Sequence, residues 1–96
     1  MQHVLRPVMY HVYVLYCIEH RKTVVGYSND LASVLSIVHS HLPREPALPY
    51  RNHVLLHVER YETKKSACNR ERELKSVQGK DFIRRLVNRK FGLQSW

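Results

Sequence analysis

Tyr10-His11-Val12-Tyr13-Val14-Leu15-Tyr16-Cys17-Ile18 is the most strand-like stretch of the chain. β-Branched and aromatic side chains follow one another without alternation, so both faces are apolar. That pattern belongs to a strand at the centre of a sheet, covered from both sides. The polar break Glu19-His20-Arg21-Lys22 follows, and Thr23-Val24-Val25-Gly26-Tyr27 resumes strand character, which predicts a hairpin. Ser28, Asn29 and Asp30 are candidate N-caps for a helix with Leu31, Val34, Leu35, Val38 and Leu42 as its apolar stripe. Pro43 to Pro49, with three prolines, is a loop.

Further along, His53 to Tyr61 reads as a third strand with Val54, Leu56 and Val58 on one face. Thr63 can cap a second helix running to about Lys75, with Ala67, Cys68, Glu71 and Leu74 at helical spacing. Gly79 interrupts, and Asp81 opens a third helix whose apolar face is Phe82, Ile83, Leu86 and Val87. The expected fold is α+β, in the order β-β-α-β-α-α. It forms a single domain over residues 1–96 with its core at about 10–90.

Composition fits that plan. Ninety-six residues make one domain, burying about 60–65% of the surface the unfolded chain exposes. With 44% hydrophobic and 25% charged residues, wholesale disorder is excluded. The longest apolar run, Val12 to Ile18, falls far short of the ~20 residues that span a bilayer. Arg6 is the one early cation, and no small-residue cleavage site follows a hydrophobic segment, so neither a secretory signal nor a membrane partner is expected. Cys17 and Cys68 are too few for a disulfide framework, which points to a reducing, cytoplasmic setting.

Charge is more informative. Arg60 to Lys90 holds eleven cations and four anions, whereas the rest of the chain holds five and four. A clustered cationic surface points to a polyanionic partner, nucleic acid above all. Lys64, Lys65, Arg70, Arg72 and Lys75 fall on the second predicted helix, and Lys80, Arg84, Arg85, Arg89 and Lys90 on the third. Some of this basicity complements helix C-termini, but ten cations exceed that need. They suit phosphate contacts, which position a protein without reading base sequence. Zinc is not expected. His39 and His41 form one close pair, and His53 and His57 would lie ~13 Å apart on a strand, too far to share an ion.

Several segments, in order, resemble the GIY-YIG nuclease domain, in particular its small stand-alone bacterial members. His11-Val12-Tyr13 stands where that family has its Gly-Ile-Tyr motif, and Val24-Val25-Gly26 where it has Tyr-Ile-Gly. Tyr27-Ser28-Asn29-Asp30-Leu31 is close to the family's Tyr-Thr-Asn-Asp-Leu. Tyr61 to Ala67, followed by Arg70-Glu71, is similar to the segment carrying the metal-binding glutamate. Lys75-Ser76, Gly79-Lys80 and Phe82 through Leu86 match the tail of the small subgroup. The resemblance implies a three-stranded antiparallel sheet flanked by helices, and Mg²⁺- or Mn²⁺-dependent hydrolysis of DNA. It assigns Tyr13 to the first catalytic tyrosine and Glu71 to the metal.

Two other positions depart from that pattern. The second tyrosine is Val24, and Val34 stands where the family has its catalytic arginine. His39 lies one residue beyond the family's histidine position, a rotation of about 100° on a helix. Losing one preorganised transition-state stabiliser typically costs ~10²–10³ in rate, and a phosphate-clamping arginine ~10³–10⁵. The expectation is therefore a nucleic-acid-binding domain, for DNA more than RNA, with weak or lost cleavage. Two alternatives stay open. One is a working endonuclease with a rearranged site, for which Arg21 and Lys22 are the nearest unassigned cations. The other is a protein-interaction module on the same scaffold. No feature of the sequence fixes an oligomeric state.

Overall fold

Strand β1 (Tyr10–Cys17) lies between β2 (Lys22–Ser28) and β3 (His53–Tyr61) and runs antiparallel to both. This is a computed structural model, and it describes residues 8–38 and 53–92. His39, His41, Leu42 and the proline-rich stretch 43–49 lie outside the described residues, as does the Val38 side chain. Helices α1 (Leu31–Val38), α2 (Lys64–Leu74) and α3 (Val77–Phe91) complete the expected α+β order. None of them is long and apolar enough to cross a membrane.

The central strand is covered on both sides, as its two apolar faces require. Val12, Val14 and Tyr16 pack with Leu56 against Ala67 and Leu74 of α2 and Ile83 and Val87 of α3. Tyr13 and Leu15 point the other way and pack with Val24, Leu55 and, from α1, Leu31 and Val34. The cap of α1 is Asp30, whose carboxylate accepts hydrogen bonds from the Ser33 amide (3.2 Å) and hydroxyl (2.6 Å). Thr63 caps α2 by accepting from the Ser66 amide at 3.1 Å, as its position predicts.

The third strand departs from simple alternation. Val14 pairs with His57 but Leu15 pairs with Leu55, leaving Leu56 as the extra residue of a β-bulge. A bulge inserts one residue and so reverses the faces of everything beyond it. Val54 and Leu56 therefore share the α2–α3 face with His57, Glu59 and Tyr61. Val58 turns to the other face opposite Tyr13 and is 39% exposed. The expectation that Val54, Leu56 and Val58 share one face is corrected accordingly.

The start of the third helix is also corrected. Helix α3 begins at Val77, capped by Ser76, whose hydroxyl accepts from the Gly79 amide at 3.2 Å. Gly79 is inside the first turn and buried, and Asp81 lies beyond it. A serine N-cap outweighs the poor helix propensity of glycine, and this glycine is needed for packing rather than for a break.

At Gly26 the reason for glycine is a neighbour. A Cβ there would lie 2.5 Å from the Tyr13 hydroxyl oxygen and 2.7 Å from the ring carbon bearing it. Gly26 pairs with Tyr13 across the β1–β2 ladder and lets the ring lie over the strand. Gly26→Ala is expected to destabilise the protein by about 1–3 kcal/mol through overpacking. In a urea-unfolding double-mutant cycle, most of that cost should vanish in a Tyr13→Ala background. An additive result would show that the two residues do not meet.

Candidate nucleic-acid interface

The cations of α2 and α3 divide into two sets. Arg70 is committed to structure. Its Nε and NH2 donate to Glu59 at 2.8 and 3.1 Å, its NH1 donates to Glu73 at 2.8 Å, and its guanidinium lies 5.5 Å from the Phe82 ring centroid. The bonds to Glu59, foremost, and to Glu73 raise its already high pKa further. Lys75 pairs with Glu71 at 3.3 Å, and Arg84 and Arg85 both donate to Asp81. In contrast Lys64, Lys65, Arg72, Lys80, Arg89 and Lys90 are exposed and have no carboxylate partner among the described residues.

Glu59 organises the first set. It accepts from Arg70, from the Tyr61 hydroxyl at 2.6 Å and from His57 Nε2 at 2.8 Å. Burial opposes its ionisation, but the bonds from Arg70, Tyr61 and His57, with the charge of Arg70, together outweigh burial and hold the carboxyl down to about 2. His57 also meets the Phe82 ring edge-on at 5.5 Å. One carboxylate thus ties β3 to α2, and Arg70 and His57 carry the tie to α3 through Phe82. Three of the five Arg70 N–H donors are thus engaged inside the protein, which leaves fewer for an external phosphate.

The two residues assigned to catalysis by resemblance stand on elements that pack on different faces of the sheet. Tyr13 belongs to the α1 face of the sheet, buried with Leu15, Val24 and Leu31. Glu71 lies on α2, which packs against the opposite face. Tyr27 packs on the face that carries α2, and Glu71 is among the charges that act on its hydroxyl. The Cys68 thiol, foremost by hydrogen bonding, raises the Tyr27 pKa, with smaller contributions from Glu71 and Tyr10. A phenol so placed keeps its proton at neutral pH and is a weak general base.

No family model, no curated protein and no solved structure matches the chain. The site is therefore judged on its own donors. Mg²⁺ and Mn²⁺ are hard ions held by one or two carboxylates together with substrate phosphates. Glu71 offers a single carboxylate already neutralised by Lys75, which is a poor seat for either ion. A different donor set, which no sequence motif marks, lies at the β1–β2 turn. The Cys17 thiol, Glu19 carboxylate and His20 ring place their ligand atoms within 4.8 Å of one another at the β1–β2 turn. Those donors suit zinc better than magnesium. Cys17 is buried while Glu19 and His20 are exposed. The sequence signal for this set is the short spacing of the three across the turn.

Proposed function

We propose that this chain binds nucleic acid, DNA in preference to RNA, through its phosphates, and that its metal-dependent phosphodiester cleavage is weak or lost. The observation that carries the reading is the set of six exposed cations on α2 and α3 with no carboxylate partner among the described residues. Ion-paired arginines need no external anion; unpaired lysines and arginines on two adjacent helices gain most by releasing counterions from a polyanion. The preference for DNA rests on the resemblance of the sequence to DNA nucleases. Weak cleavage follows from Val24 and Val34 at the two substituted positions, and from the separation of Tyr13 and Glu71 on opposite faces of the sheet. A cytoplasmic setting belongs to the same reading, supported by the two free cysteines.

Gel retardation of duplex DNA across a salt series tests this directly. With about five phosphates neutralised, log K should fall with log salt at a slope of roughly −4 to −5. Lys64→Ala with Lys65→Ala should reduce that slope by about 2. Supercoiled plasmid incubated with Mg²⁺ or Mn²⁺ should stay intact. Cleavage abolished by Glu71→Ala and by EDTA would instead establish a working endonuclease. Retention absent at every salt concentration would sink the nucleic-acid reading and favour a protein partner.

A further inference from the structure

A groove of about 900 Å³ opens between the β1–β2 turn and the first half of α3. Its volume is within the ~300–1,000 Å³ of typical ligand sites. Arg21 and Thr23 line it from the hairpin, and Lys80, Arg84 and Arg85 from the helix, with Asp81 the one carboxylate among the described lining residues. Asp81 accepts from both Arg84 and Arg85, so it orients two guanidinium groups at the groove. Arg21 and Lys80 have no carboxylate partner among the described residues. Arg21 holds a left-handed backbone conformation (φ 53), the only non-glycine among the described residues to do so. L residues seldom adopt it, and such outliers gather at functional positions.

The lining is not only charged. Ile83 lies under the groove as part of the core, whereas Val77 at its edge is 80% exposed, a large apolar side chain left in water. A bare phosphate would satisfy the cations and leave that apolar surface uncovered. A nucleotide answers both, because a flat base covers apolar side chains and stacks on guanidinium planes while its phosphate meets the cations. Only an unpaired base can present its face in this way; in a duplex the faces are stacked against neighbours. The groove is open rather than enclosed, which suits one unit of a longer strand. We propose that it receives an unpaired nucleotide of a nucleic-acid strand, with the base against Val77 and the Arg84 and Arg85 guanidinium groups and the phosphate toward Arg21 and Lys80. This rests on the nucleic-acid reading above and specifies the structure recognised: a duplex end or junction with a single-stranded extension.

The test uses the full chain and fluorescence anisotropy at low salt, comparing a blunt duplex with the same duplex carrying a short overhang. The overhang should bind roughly tenfold more tightly, the effect of stacking about one base. Arg21→Gly, which suits the left-handed backbone, combined with Lys80→Ala should bring that ratio close to one. Lys64→Ala with Lys65→Ala, away from the groove, should weaken both ligands and leave the ratio unchanged. Equal binding of both duplexes by the unaltered protein would overturn the groove assignment while leaving the broader reading intact. So would a preference that survives Arg21→Gly/Lys80→Ala. A free mononucleotide that binds as tightly as the overhang duplex would overturn the assignment to a strand. Binding of neither duplex would fail the nucleic-acid reading itself, and this inference with it.

Discussion

Glu59→Ala is expected to cost about 2–4 kcal/mol in urea unfolding at neutral pH, a large share of the stability of a domain this small. The side chain is 20% exposed and accepts hydrogen bonds from three residues. Removing one partner of a buried ion pair typically costs ~3–5 kcal/mol, because the other charge is left uncompensated. Here the cost is shifted about 1 kcal/mol below that range. Arg70 is 27% exposed and keeps Glu73, so its guanidinium can recover some solvation. A loss below about 1 kcal/mol would mean that the cluster behaves like an exposed surface pair.

The pH dependence carries a sharper version of the same expectation. The folded carboxyl titrates at about 2, below its ordinary value of 4.5. Between these two values the unfolded chain binds the proton and the folded protein does not. Stability from Glu59 is therefore complete above about pH 4.5 and is lost as pH falls toward 2, to a total of roughly 3 kcal/mol at most. Glu59→Gln has no such proton to take up. Its stability deficit should be greatest at neutral pH and should shrink as both proteins are acidified through that window. Parallel pH profiles for the two proteins would rule out a depressed Glu59.

The difference between what the sequence revealed and what it hid lies in the range of the interactions. Apolar residues at every position of 12–17 demand cover on both sides, so the centre of the sheet was legible from one stretch. Thr63 was legible as a cap, and Asp30 as one of three candidates with Ser28 and Asn29, because a cap bonds an amide three residues away. The bulge at Leu56 was not. No glycine or proline marks it, and it is defined by pairing with β1, about forty residues back in the chain. The fate of Arg70 was hidden for the same reason. Its main partner Glu59 is eleven residues away on another element, so a charge count scores it as free. Counting residues from 60 to 90 finds the basic surface but cannot separate Lys64 or Arg89, which face solvent, from arginines already satisfied. The candidate site suffers most from this. Tyr13 and Glu71 were joined by resemblance, but strand alternation turns Tyr13 toward α1 while Glu71 stands on α2, which packs on the other face.

Gly79 offers the widest gap between a local and a tertiary expectation. Judged by helix propensity, alanine at a glycine inside α3 should stabilise the protein by up to ~1 kcal/mol. The corner between α2 and α3 reverses that sign. Only Lys75 and Ser76 separate the two helices, and the Ser76 hydroxyl donates to the Glu73 carbonyl while accepting from the Gly79 amide. This draws the first turn of α3 onto the end of α2. A Cβ at position 79 would run into the Glu73 carbonyl oxygen and the Leu74 Cα and carbonyl carbon, all backbone atoms that cannot swing aside. Relief requires the helices to part, and Leu74, Ile83 and Val87 are buried where they meet the sheet. Gly79→Ala should therefore destabilise by about 2 kcal/mol, and Gly79→Val by more than 3 kcal/mol, in the range of severe overpacking. Thermal and urea unfolding of both variants would check this. Stabilisation by alanine would mean that α2 and α3 stand farther apart than the structure has them. A graded loss from alanine to valine is what a close backbone approach demands, since each added carbon must push the same two helices apart.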